Sequence, residues 1–170
     1  MSMLRFAVAL VACASTPPPP PVSIPENLRV PEGQALLLRA AARGAQIYTC
    51  KAKAADPGAF EWVLKAPEAD LFDGRGAKIG RHYAGPTWES VDGSRVVGEA
   101  VQRSPAQGAI PWLLLRAKSK EGAGALAAVT YVQRLDTVGG VAPSAGCDAT
   151  HAGAEARVEY SANYDFYGAR

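Results

Sequence analysis

Turn signatures break this chain at short intervals. They fall at Asp56-Pro57-Gly58, Asp73-Gly74, Asp92-Gly93, Gly122-Ala123-Gly124 and Gly139-Gly140. Glycine reaches positive φ without steric cost and proline fixes φ, so each cluster punctuates the backbone. Between them no 3.6-residue periodicity runs for the ~10–15 residues of a crossover helix, which argues against a parallel βαβ sheet. What lies between the turns reads as strand. "QIYTCKA" (Gln46–Ala52) and "FEWVLKA" (Phe60–Ala66) are rich in β-branched and aromatic residues. "IPWLLLRAK" (Ile110–Lys118) has a nearly continuous apolar centre, as in a strand buried on both faces. "LAAVTYVQRL" (Leu126–Leu135) carries four β-formers in a row, Val129 to Val132. Val158, Tyr160, Ala162, Tyr164 and Phe166 alternate with polar residues, which is a period-two strand with one wet face.

One stretch is ambiguous. "QALLLRAAARG" (Gln34–Gly44) has helix-favouring alanines and leucines, but Gly33 and Gly44 bound it tightly, and it is read here as a strand. "DGRGAKIG" and "DGSRVVG" echo each other and predict two successive hairpins. The expected fold is all-β: an antiparallel sandwich or barrel built from hairpins, one domain over residues 24–170.

The N-terminus reads as an address. "MSMLR" supplies one positive charge, "FAVALVA" is a short apolar run, and "LVAC" follows. The run is too short to span ~30 Å of hydrocarbon as a helix, and it matches a minimal secretory signal over residues 1–14. Leu-Val-Ala-Cys resembles a bacterial lipobox, with Cys13 lipidated; Ala12-Cys13-Ala14 also resembles an ordinary A-x-A cleavage site. The expected location is therefore periplasmic or outer-membrane lipoprotein, with free secretion as the alternative. Membrane contact is expected only through the Cys13 anchor. Five consecutive prolines within residues 15–23 favour extended polyproline II, a stalk of ~3 Å per residue.

If Cys13 belongs to the leader, Cys50 and Cys147 remain as an even pair in an oxidising compartment. A disulfide between them closes a loop of ~100 residues, worth ~4–5 kcal/mol on the chain-entropy model. Two separate buried thiols are the alternative. A net charge of +2 without a long basic run argues against a nucleic-acid partner.

Residues Gly80–Ser94, "GRHYAGPTWESVDGS", hold the densest group of chemistry-bearing side chains. On a strand, His82 and Tyr83 point to opposite faces, and so do Trp88 and Glu89. His82 can share a face with only one of Trp88 and Glu89 across a Gly85-Pro86 hairpin. The candidate ligand-binding residues are His82, Tyr83, Trp88, Glu89 and Arg134. An exposed Trp88 could stack on a sugar ring, whereas Trp62 and Trp112, in apolar strands, are expected in the core. A hydrolase using Glu89 or Asp92 with His82 is the alternative. A pocket holding His82, Glu89 and Arg134 together would favour it. A structural envelope protein is a third reading. Asp73 and Asp92 precede glycine and are expected as turn residues.

No metal site or cofactor is expected. His82 and His151 are the only histidines and form no H-x-E or HExxH pattern. Residues 122–127 fit G-x-G-x-x-A, but they lead into a β-rich run rather than a helix whose N-terminus could hold a pyrophosphate.

Taken in order, "QIYTCKA", "FEWVLKAPEADLFD", "IGRHYAGPTWESVDGS", "IPWLLLRAKS", "VTYVQRLDTVGG" and "GCD" resemble one family, domain of unknown function 3455, known from bacteria and fungi. The resemblance runs from about Gln46 to the C-terminus. It implies export and an uncharacterised role. Its blocks include Cys50 and Cys147, in agreement with the disulfide. It carries no catalytic residues to this chain. The expected role is a non-enzymatic envelope or extracellular module that binds a small molecule, a glycan or a protein.

Overall fold

The structure, a computed structural model, describes residues 23–170. The leader, Cys13 and the proline stretch up to residue 22 lie outside the described residues. Eight strands follow one another: β1 (Gln34–Lys53), β2 (Asp56–Phe72), β3 (Lys78–Tyr83), β4 (Thr87–Ser90), β5 (Arg95–Ala106), β6 (Ala109–Glu121), β7 (Val129–Gly139) and β8 (Glu155–Ala169). Each pairs antiparallel with the next, and β8 pairs with β1 from Gln34↔Ala169 to Thr49↔Glu155, closing an up-and-down barrel. Every strand has a neighbour on each side, although the short β3–β4 hairpin pairs with β2 only over Ala69–Phe72 and with β5 only over Arg95–Val97. Of the two architectures open to the sequence, the barrel is the one formed. The two echoing Asp-Gly stretches make the β2–β3 and β4–β5 hairpins.

The alanine-rich stretch that reads ambiguously is the first half of β1, a strand. Its inward positions are Leu38, Ala40 and Ala42. Small side chains are needed there because the facing wall is large. β8 sends Tyr160, Ala162, Tyr164 and Phe166 into the same core, as its alternation predicts. Trp88 joins them at 1% exposure, packed edge-on to Tyr164 and Phe166. Gly98 makes room for the indole, and Gly44 lets β1 and β2 run close together. A Cβ at Gly44 would sit 2.0 Å from the Glu68 carbonyl oxygen, and one at Gly98 would sit 2.9 Å from the Trp88 indole.

Burial of β6 on both faces is also found. Leu113 and Leu115 pack inward. Leu114 packs outward against Leu28 and Leu135, with Trp112 and Tyr131 alongside. The cover is an N-terminal strap with a 3-10 turn at Glu26–Leu28. Leu28 is fully buried, which stabilises the strap by ~1.5–3 kcal/mol. Gln133 Nε2 donates to the Leu28 carbonyl at 2.6 Å, and Asn27 Nδ2 donates to the Arg103 carbonyl at 3.0 Å.

Two expectations need correction. The turn between β1 and β2 falls at Ala54-Ala55, with Lys53 paired to Asp56. Asp56-Pro57-Gly58 instead opens β2 as an irregular bulge, a position that tolerates both proline and glycine. The tryptophans are also exchanged. Trp88 is in the core, whereas Trp62 and Trp112 are half-buried. Trp112 lies on the outer face beneath the strap, and Trp62 Nε1 donates to the Ala145 carbonyl at 2.9 Å.

Cys50 in β1 and Cys147 in the β7–β8 loop form a disulfide across 97 residues, with Cα atoms 5.3 Å apart. Backbone bonds from Cys50 N to Ala154 O and from Gly153 N to Cys50 O hold the same loop at its far side. The second 3-10 turn, Ala149–His151, is capped by the Asp148 carboxylate.

The two ends differ. One end carries the β2–β3 and β4–β5 turns and the β6–β7 loop. Leu126, Val96 and Val129 fill it, each at most 1% exposed. Asp92 Oδ1 accepts from the Ser94 amide and hydroxyl, and its Oδ2 accepts from Ala125 N across to the β6–β7 loop. Ser94 Oγ in turn accepts from Leu126 N. Hydrogen bonds from Ala125 and then Ser94 hold the Asp92 carboxyl down at about 2. Gly122 and Gly124 lie in this loop, which leads straight into β7 with no helix behind it.

Candidate functional site

The opposite end is open. It carries the β1–β2, β3–β4 and β5–β6 turns and the β7–β8 loop. A cavity of about 410 Å³ enters the barrel there. Pockets that hold drug-sized molecules begin at ~300 Å³. Its apolar wall includes Pro86, Trp88, Ile110, Leu113 and Leu115.

The β3–β4 hairpin sorts its side chains as strand alternation requires. His82 pairs with Trp88, and Arg81 pairs with Glu89. His82 and Trp88 face inward and stack at 4.6 Å between centroids, 13° from parallel. Nδ1 of His82 donates to the Thr87 carbonyl at 2.8 Å, which leaves the lone pair on Nε2. Burial pushes the imidazole down to about 3; the Thr87 bond opposes this and the Arg134 charge adds to it. The ring is therefore neutral near neutral pH, far from the pKa of an effective general base.

Tyr83 and Glu89 face outward. Glu89 accepts from the Tyr83 hydroxyl at 2.7 Å and from Arg81 Nη2 at 3.0 Å. The Tyr83 bond, then the Arg81 bond, hold the Glu89 carboxyl below its ordinary range. They border an outer groove of about 640 Å³. The acids there are already neutralised: Glu89 by Arg81, Glu68 by Arg157 and Asp70 by Lys78. Arg43 lies over the Phe72 ring at 5.5 Å. The groove is larger than the open-end cavity, but each of its acids already has a basic partner.

The cavity is different. Gln46 Nε2, Trp88 Nε1 and the Tyr164 hydroxyl are buried without a hydrogen-bond partner, and all three residues line it. An unsatisfied buried polar group costs ~1–3 kcal/mol, so three around one cavity need a reason. The Tyr160 hydroxyl, on the same strand as Tyr164 but outside the cavity lining, is a fourth. Burial raises both the Tyr160 and Tyr164 phenols; the neighbouring Tyr164 hydroxyl raises Tyr160 further, and the Arg134 charge partly offsets both. Arg134 Nε and Nη2 donate to the Pro111 carbonyl at 3.1 and 2.8 Å. Among the described residues no carboxylate pairs with Arg134.

The five candidate residues thus fall into two sets. His82, Trp88 and Arg134 meet in the cavity, while Tyr83 and Glu89 meet on the outer wall, where His82 also borders the groove. His82, Glu89 and Arg134 do not share one pocket. Asp92 is engaged at the closed end. Gln46, Arg103 and Tyr164 complete the cavity and were not among the candidates. A period-two count shows two of them: Gln46 continues the inward series Ala40, Ala42, Gly44, and Tyr164 continues Tyr160 and Ala162; the same count puts Arg134 after inward Val132. A polar residue at an inward position of a barrel strand is the signal. Arg103 carries no such mark, because register shifts between Ala100 and Gln102 break the count.

Among the described residues no group of three His, Cys, Asp or Glu side chains gathers to hold a metal. No described helix is long and apolar enough to cross a membrane. A family model described as "Protein of unknown function (DUF3455)" matches residues 31–168. No curated protein and no solved structure matches the chain significantly.

Proposed function

The chain belongs to the DUF3455 family, whose description assigns no activity, and we propose that this member is an exported, non-enzymatic barrel that binds a small molecule in its open end. The observation that carries the reading is the cavity lined by Gln46, Trp88 and Tyr164, whose buried polar atoms lack partners. Such atoms are costly in the empty protein and are repaid when a ligand meets them. Concavity favours a small molecule over a protein surface. A sugar needs an open aromatic face, and one face of the Trp88 indole is covered by His82. The Cys50–Cys147 disulfide supports export, since such bonds persist in oxidising compartments.

The test is a thermal-shift screen of the purified protein against metabolites, glycans and metal ions. A ligand at 100 times its Kd adds ~2.7 kcal/mol of stability. Ala100→Trp, at the exposed rim of the cavity, should abolish the shift while leaving the unliganded melting temperature unchanged. A folded protein that answers no compound, or a shift that survives Ala100→Trp, contradicts the reading.

A further inference from the structure

The cavity has a chemical polarity. Two of its unpartnered buried atoms can only donate, the indole N–H of Trp88 and the amide nitrogen of Gln46, while the Tyr164 hydroxyl can donate or accept and His82 Nε2 offers one acceptor. Its charged lining consists of Lys65, Arg103 and Arg134, with no aspartate or glutamate. Lys65 is committed to Glu155. Arg103 and Arg134 have no acidic partner among the described residues.

Arg134 is the better placed of the two. Pro111 holds the guanidinium through two of its five donors and fixes its orientation. The remaining donors suit a two-oxygen acceptor, because guanidinium and carboxylate meet as parallel forks. Away from bulk water such a pair is stronger than on the surface. Much of the remaining wall is apolar: the side chains of Pro86, Ile110, Pro111, Leu113 and Leu115 offer nothing to a polar body.

We propose that the open end binds a small apolar acid, its carboxylate on Arg134 with Arg103 at the rim and its hydrocarbon body against Trp88, Ile110 and Leu115. This rests on the binding reading above. A neutral acceptor such as an alcohol could take the donors' hydrogen bonds but would leave the guanidinium charge unmatched, and an amine would meet two like charges. A highly charged ligand would strand its further charges on apolar wall.

The experiment is titration calorimetry on the purified protein with matched probes: octanoate, octanol and octylamine, then 3-phenylpropanoate and 3-phenylpropanol. Octanoate or 3-phenylpropanoate should bind at least tenfold tighter than its alcohol, and octylamine should bind least. Arg134→Gln should remove the acid's advantage while leaving the alcohol's affinity within about twofold. Arg134→Lys should restore part of it, and Arg103→Gln should weaken the acid severalfold. Because the acid–alcohol ratio is read in the unaltered protein, it stands even if an Arg134 variant folds poorly. Equal affinity for acid and alcohol overturns the acid inference and leaves the binding reading standing. An advantage that survives Arg134→Gln overturns the placement of the carboxylate. No binding by any acid overturns the inference outright, and the screen above then decides the binding reading separately.

Discussion

The two ends of the barrel are built from the same kind of hairpin and treat their polar atoms in opposite ways. At the closed end Asp92, Ser94, Ala125 and Leu126 form a chain of hydrogen bonds that ties the β4–β5 turn to the β6–β7 loop. Apolar Leu126, Val96 and Val129 fill the space beneath it. At the open end Gln46, Trp88 and Tyr164 keep unpaired buried atoms, and Arg134 lacks an acid. The difference separates two uses of polarity. Polar groups that satisfy one another seal a fold. Polar groups left unsatisfied around a cavity prepare it for something that arrives from outside.

The contrast breaks most readily at the seal. Leu126→Ala should lower unfolding stability by ~2–5 kcal/mol, the cost of an apolar deletion that leaves a cavity. Urea denaturation measures it, and a loss below ~1 kcal/mol would mean that the closed end is not packed as described. A second effect belongs to the inner wall of the open end. The folded pKa of His82 lies at about 3 against 6.5 for the free group. A depressed histidine pKa contributes stability that is complete above the unfolded value and is lost as pH falls below it. Between pH 6.5 and 4.5, before most carboxylates titrate, ~2–3 kcal/mol should disappear at ~1.36 kcal/mol per unit. His82→Phe should flatten the stability–pH curve in that window. An unchanged slope would place the imidazole in contact with water.

Smaller effects sharpen the comparison, because they remove one hydroxyl at each end. Ser94→Ala takes away the donor to Asp92 and the acceptor for Leu126 N, and should cost ~1–2 kcal/mol. Tyr164→Phe removes a hydroxyl that has polar neighbours in Tyr160 and Arg134 but no well-formed hydrogen bond to either, so stability should stay level or rise by up to ~1 kcal/mol. Equal losses from the two substitutions, by the same denaturation measurement, would erase the distinction between the ends.

Much of the barrel is legible in the residues. The alternation of β8 names Tyr160, Ala162, Tyr164 and Phe166 as core, and the Asp-Gly turns place two hairpins. Local alternation also separates His82 from Tyr83 and Trp88 from Glu89, as the hairpin register requires. The tryptophans mislead because apolar neighbours say that a side chain is buried without saying on which side. Trp112 sits among leucines yet points outward, and its cover is the Leu28 strap, a contact made across most of the chain. Trp88 stands among glycines and polar residues, but the space above Gly98 in the next strand admits its indole. The cavity was legible only in part. Gln46 and Arg134 are marked by register, whereas Arg103 arrives through a break in pairing that no period reveals.

The central claim is that the open end receives a ligand and the closed end does not. It is tested most directly by nitrogen–proton NMR of the protein during titration with octanoate. The Trp88 indole and Arg134 side-chain signals should move to saturation together while the backbone amides of Ser94 and Leu126 stay in place. Movement confined to the closed end, or to the outer groove at Arg81 and Arg95, would contradict it.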